Sequence, residues 1–173
     1  RQPVADALDR VCRDRLLQNL MATQPLFRPF SPEQRLDLLK RFTGHVVAPG
    51  TVIVRVGEPA QGLYALLNGE VDVTHHAPPQ DPILLSTLKT GETFGEVALL
   101  EQTPAPTTVT AARQTTLLFL HRQYFQRLIQ AIPPLKSYFQ RLAHHRQTQS
   151  EALLLPTEDL FVEDAEENLL VLI

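Results

Sequence analysis

The residues with the most chemical potential in this 173-residue chain lie between Phe94 and Ala111, in the run FGEVALLEQTPAPTTVTA. Gly95 permits a backbone turn and a close approach that a side chain would block. Val97, Ala98 and Leu99 open a short helix, whose first N–H groups have no partner inside the helix and suit an anion. Glu96 brings a carboxylate, an acceptor for sugar hydroxyls; it can equally cap the local turn or pair with Arg55. Thr107 and Thr108 carry hydroxyls, but next to Val109 they read first as the alternating polar positions of a strand.

Other chemistries lack their parts. There is no GxSxG elbow, HExxH pair, P-loop or CxxC, so no catalytic residue is assigned and the chain reads as a non-enzyme. The histidines are His45, His75–His76, His121 and His144–His145. Neighbours on a strand point to opposite faces, so the adjacent pairs make poor metal ligands and no metal site is expected. Cys12 is the single cysteine, which excludes an internal disulfide and a four-cysteine zinc site.

The elements around these residues follow from periodicity. Ala5 to Thr23 has apolar residues at helical spacing, and Pro25 and Pro29 break the pattern. A second helix starts at Ser31 as N-cap with Pro32 at the first position, and Leu36, Leu39 and Phe42 form its apolar stripe. From His45 to His121 the character is β: short runs such as TVIVRVGE, LYALLNGE, VDVTHH, ILLSTL and TTLLFLH, with turns at Gly50, Gly57, Gly69 and Gly91. Val52, Val54 and Val56 alternate with Ile53 and Arg55. HAPPQDP is a loop, because its prolines cannot sit in a central strand. Two helices follow. The first carries Tyr124, Phe125, Leu128 and Ile132 on one face; the second starts at Pro133-Pro134 and carries Leu135, Tyr138, Phe139 and Leu142. Beyond Leu142 the run HHRQTQSE is polar all round and is expected to stand in solvent or fray.

This is an α+β organisation: N-terminal helices over 1–43, an antiparallel β-jelly roll over 44–121, two C-terminal helices over 122–155, and a tail over 156–173. The tail holds six acidic residues and no basic ones before ending in LLVLI. Its acidic part reads as a solvated linker, and residues 169–173 as a strand or anchor docking on the same domain or on a protein partner. The chain begins at Arg1 rather than methionine and reads as part of a longer one. A net charge of −3 implies no general affinity for polyanions, so DNA binding is not expected. No apolar run reaches the roughly 18 residues of a membrane span. The composition and the lone cysteine suit a cytoplasmic protein without membrane contact.

Helices, a short-stranded barrel and helices again, in that order, resemble the cyclic nucleotide-binding domain family, and the motifs extend the likeness. PGTVIVRVGEPAQGLYALLNGEVDV is similar to that family's first half, with Gly50, Gly57-Glu58, Tyr64 and Gly69-Glu70 in its pattern. TGETFGEVALLEQTPAPTTVTA is similar to its phosphate-binding cassette. The resemblance spans roughly Leu16 to Leu155 and implies a sensor that takes cyclic AMP or cyclic GMP, with Glu96 on the ribose 2′-hydroxyl. It also implies C-terminal helices that close over the ligand.

One departure is chemical. Aligning Phe94-Gly95-Glu96 through Thr103-Pro104 to Val109 puts Ala105 where the family carries its phosphate-binding arginine, and Pro106 next to it. Ala105 has no charge and Pro106 has no N–H. A charged hydrogen bond contributes roughly 1.5–3 kcal/mol and a neutral one roughly 0.5–1.5. Losing both predicts cyclic-nucleotide binding weakened by roughly a hundredfold or more. Arg55, Lys89 and Arg113 are the only cations between Phe42 and Arg122, and none holds the matching position. Three readings therefore stand: a sensor with weak or lost cyclic AMP and cyclic GMP binding, a ligand-free scaffold that binds protein partners through its helices and C-terminal tail, or a pocket adapted to a different small molecule, uncharged or apolar.

Overall fold

The computed structural model describes residues 30–155 continuously, together with 14, 15, 18, 19, 22 and 28. The Ala5–Thr23 helix expected from the sequence lies largely outside the described residues, and the tail over 156–173 lies wholly outside them.

Helix α1 (Pro32–Arg41) begins as its sequence requires. The Ser31 side chain accepts from the Gln34 amide, and the Gln34 side chain accepts from the Ser31 amide. Its inner stripe corrects the expectation. Leu38 is buried while Leu36 is 53% exposed. Leu39 and Phe42, half-buried, pack with Leu38 against the core. Leu36 lies about 200° around the helix from Leu38, so both cannot face inward.

Eight strands follow: β1 (Thr43–Val47), β2 (Val52–Val54), β3 (Gly62–Asn68), β4 (Glu70–His75), β5 (Ile83–Lys89), β6 (Thr93–Phe94), β7 (Thr108–Ala111) and β8 (Thr115–His121). They form two four-stranded sheets, ordered β1-β8-β3-β6 and β2-β7-β4-β5, in which every pairing is antiparallel. The inner faces close on Leu66, Val71, Leu88, Phe94, Val109 and Leu117. This is the jelly roll the strand spacing predicted, with HAPPQDP as an irregular connection between β4 and β5.

Two strands depart from expectation. β6 is two residues long, too short to show a period, and it appears only because Tyr64 and Ala65 of β3 pair with Phe94 and Thr93. β2 stops at Val54, and its register against β7 shifts between Val52 and Val54. That irregularity cancels the expected alternation: Ile53, Val54 and Arg55 all reach the same cavity, while Val56 is exposed.

Helix α2 (Glu96–Glu101) interrupts the second half of the roll. Helices α3 (Arg122–Ala131) and α4 (Pro133–Leu154) pack on the β3 side through a second core that includes Leu63, Leu120, Phe125, Leu135 and Phe139. The Phe125 and Phe139 rings meet edge-on at 5.1 Å. One glycine sets how closely the neighbouring strands β3 and β8 approach. A Cβ on Gly62 would lie 2.1 Å from the Leu120 carbonyl oxygen and 2.6 Å from the Phe119 ring. Gly62→Ala is therefore expected to destabilise the domain by about 2–3 kcal/mol, read as a lowered midpoint in urea unfolding at unchanged slope.

Candidate functional site

A cavity of about 340 Å³ opens between the jelly roll and the last turns of α4. That is within the range of small-ligand sites. Its floor is apolar, with Ile53, Val54, Val73, Leu88 and Val109 from the strands. Tyr64 and Phe94 stack beneath it at 5.0 Å with their planes 7° apart. Burial pushes the Tyr64 phenol above its ordinary value, which keeps it a neutral hydroxyl.

Of the nine residues singled out in the sequence, Phe94, Gly95, Glu96, Val97, Ala98, Ala105, Pro106 and Thr107 line this cavity, and Thr108 does not. Gly95 caps α2 with φ +94°, and its Cβ would meet the Gly62 carbonyl oxygen at 2.8 Å. The turn is thus needed to seat the cassette on β3 whether or not a ligand is bound. Thr108 lies in β7, and its hydroxyl accepts from the Val56 amide, which is a structural task. Thr107 lies just ahead of β7 and is half-buried.

Ala105 and Pro106 stand where the sequence placed them, and the backbone sharpens the consequence. The Ala105 amide donates to the Glu58 carbonyl at 2.9 Å, and the Ala105 carbonyl accepts from the Gly57 amide at 2.8 Å. The neighbouring N–H on this side is therefore already used within the protein, and Pro106 has none to offer. Arg55 does reach the cavity, but its guanidinium lies 3.7 Å from Glu58 and both side chains are well exposed.

Glu96 holds the unexpected partner. It is 1% exposed, and its Oε1 accepts from Arg146 Nη1 of α4 at 2.6 Å. Its Oε2 is buried without a hydrogen-bond partner. Gln147 adds a second tie, donating from Nε2 to Glu101 Oε1 at 2.7 Å. The pairing of Glu96 with Arg55 weighed from the sequence does not form. The run HHRQTQSE does not stand free either: α4 continues unbroken to Leu154, and Arg146, Gln147, Gln149, Ser150, Glu151 and Leu154 roof the cavity. Its polar inner side meets a polar partner rather than the apolar core, so an apolar stripe was the wrong signal. The i, i+1 pair Arg146-Gln147, set against the acidic ends of EVALLE, was the signal to read.

The charges lining the cavity do not favour an anion. Two cations, Arg55 and Arg146, face three carboxylates, Glu58, Glu96 and Glu151. Each cation is already engaged with one of them. No group of three or more metal-ligating side chains exists among the described residues, and no described helix is long and apolar enough to cross a membrane.

Comparison with known proteins agrees with this architecture. A cyclic nucleotide-gated potassium channel of Mesorhizobium japonicum is 32% identical over 127 residues, covering 73% of this chain and 34% of the channel. This chain thus spans about a third of that relative's length. The catabolite activator protein of Thermus thermophilus superposes with a TM-score of 0.65 at 29% identity, over 76% of this chain and 62% of that one. The regulatory subunit of a cAMP-independent protein kinase A from Trypanosoma cruzi, solved bound to guanosine, shares the fold with a TM-score of 0.66 at 21% identity, over 76% of this chain and 47% of that one. The cyclic nucleotide-binding domain model matches residues 45–131, half of the sequence, and the chain belongs to that family.

Proposed function

We infer that this is a regulatory ligand-binding module whose cavity takes an uncharged, ribose-bearing ligand of the nucleoside class in preference to a cyclic nucleotide. One observation carries the reading. Glu96 presents a buried Oε2 with no partner, while the adjacent Ala105 and Pro106 supply neither a cation nor an N–H. A buried carboxylate oxygen left unmatched costs free energy, and a ribose hydroxyl donating to it recovers that cost. A cyclic phosphate brings a negative charge into a lining that already holds more carboxylates than cations. The relative described as cAMP-independent and bound to guanosine gives a precedent for a nucleoside on this fold.

Closure supplies the regulatory step. A ligand that fills the space between Tyr64 and the roof stabilises the state in which Arg146 and Gln147 clasp α2, and so shifts the population toward it. Titration calorimetry with guanosine, adenosine, their 2′-deoxy forms, cyclic AMP and cyclic GMP tests the reading. A ribonucleoside is expected to bind at least tenfold more tightly than its 2′-deoxy form, the worth of one charged hydrogen bond. Cyclic nucleotides are expected to bind about a hundredfold more weakly than the nucleoside. Cyclic AMP binding more tightly than adenosine, with Glu96→Gln leaving that affinity unchanged, would refute it.

A further inference from the structure

One wall of the cavity has its backbone donors already spent. Two loops build it, residues 55–61 between β2 and β3 and residues 102–107 between α2 and β7. The Val56 amide donates to Thr108 Oγ1 at 3.1 Å. The Gly57 amide donates to the Ala105 carbonyl at 2.8 Å, and the Glu58 amide to the Arg55 carbonyl at 3.1 Å. The Ala105 amide donates back to the Glu58 carbonyl at 2.9 Å. Pro59 and Pro106 have no N–H at all. The surface left facing the cavity is apolar: Pro59, Ala60, Ala105 and Pro106 from the loops, with Ile53 and Val54 beside them on β2. Ala105 is itself buried, so its methyl group is a fixed part of the lining. Of the polar side chains, Arg55, Glu58 and Gln61 are exposed, and the first two engage each other at 3.7 Å. Thr107 brings one half-buried hydroxyl.

This inference rests on the reading above, in which a ribose 2′-hydroxyl donates to Glu96 Oε2. The 3′-hydroxyl is its cis neighbour on the ring and can share the same carboxylate. The 5′ carbon has no such help. Ala105 holds the position at which the family grips the phosphate, and a 3′,5′-cyclic phosphate is carried on O5′, so the 5′ carbon turns toward this wall. A hydroxyl placed there gives up water and meets a surface with few free partners, which costs free energy. An apolar group placed there buries its surface against prolines and aliphatic side chains, which is favourable. We propose that the cavity selects a nucleoside whose 5′ carbon carries an uncharged alkylthio group in place of the hydroxyl. A thioether is polarizable and nearly apolar, and its free rotation lets it fill an irregular lining.

Titration calorimetry with adenosine, 5′-deoxyadenosine and 5′-methylthioadenosine, and with the same three forms of guanosine, reads the preference. On the base that binds more tightly, the methylthio form is expected to bind about tenfold more tightly than the parent ribonucleoside. The 5′-deoxy form is expected to bind at least as tightly as the parent, because the hydroxyl it lacks was unmatched. Ala105→Ser puts a hydroxyl on the wall and is expected to cut the methylthio preference to about threefold or less, with unchanged circular dichroism. A methylthio form no tighter than the parent would overturn the proposal. So would a parent that binds more tightly than its 5′-deoxy form, since the 5′-hydroxyl would then have a partner such as Thr107. An undiminished preference in folded Ala105→Ser would also overturn it. Each of these outcomes leaves the nucleoside reading standing. If none of the six compounds binds, that reading falls and this inference falls with it.

Discussion

Ala105→Arg combined with Pro106→Ala is expected to raise the affinity for cyclic AMP by about thirtyfold to a thousandfold. The arginine supplies a guanidinium that can fork onto the phosphate, and the alanine restores an N–H at the next position. One charged and one neutral hydrogen bond together are worth about 2–4.5 kcal/mol, and each ~1.4 kcal/mol is tenfold. The new side chain has somewhere to go, since Ala105 already borders the cavity. Its backbone stays tied to Gly57 and Glu58, so the loop keeps its course. Calorimetry on the double variant and on Ala105→Arg alone separates the charge from the amide. If neither variant binds cyclic AMP more tightly than the parent chain, the missing donors are not what sets ligand choice.

Arg146→Ala is expected to be the most damaging change at the roof. Glu96 is fully buried, and removing its cation leaves a carboxylate with neither oxygen partnered. Breaking a buried pair from one side costs about 3–5 kcal/mol. Arg146 keeps 21% of its side chain exposed, so water relieves part of that and about 1–3 kcal/mol is the expected loss. For a domain of this size that lowers Tm by several degrees in calorimetry. Glu96→Gln in the Arg146→Ala background is expected to recover most of the loss, because a neutral amide costs less to bury than an ion. If the double variant is no more stable than Arg146→Ala alone, the 2.6 Å contact is not what holds the roof.

The strands were legible because alternation and glycine punctuation both report a half-buried sheet, and most runs formed where they were read. β6 and the β2 irregularity were not, because both are decided by what a neighbouring strand offers rather than by local period. Of the nine residues singled out in the cassette, eight reach the cavity, because the turn at Gly95 and the short helix after it were readable from local sequence. Arg146 was hidden for a different reason. It lies 50 positions from Glu96, and its stretch was judged by the lack of an apolar stripe. A helix that buries its polar side against polar partners has no such stripe to show. Gly62 escaped notice too, because it opens β3 without marking a tight turn, and only the approach of Leu120 explains it.

Helix α4 is one uninterrupted rod of 22 residues, about 33 Å long, seated in the core by Leu135 and Phe139 and ending above the cavity. Arg146 and Gln147 tie its far half to α2, and a rod this long multiplies any change of angle released there into distance. Swinging it by about 10° at Pro133 would carry Leu154 through about 6 Å, more than a full helical turn's rise. On the closure proposed above, occupancy of the cavity would thereby become a displacement large enough for whatever follows Leu155 to register.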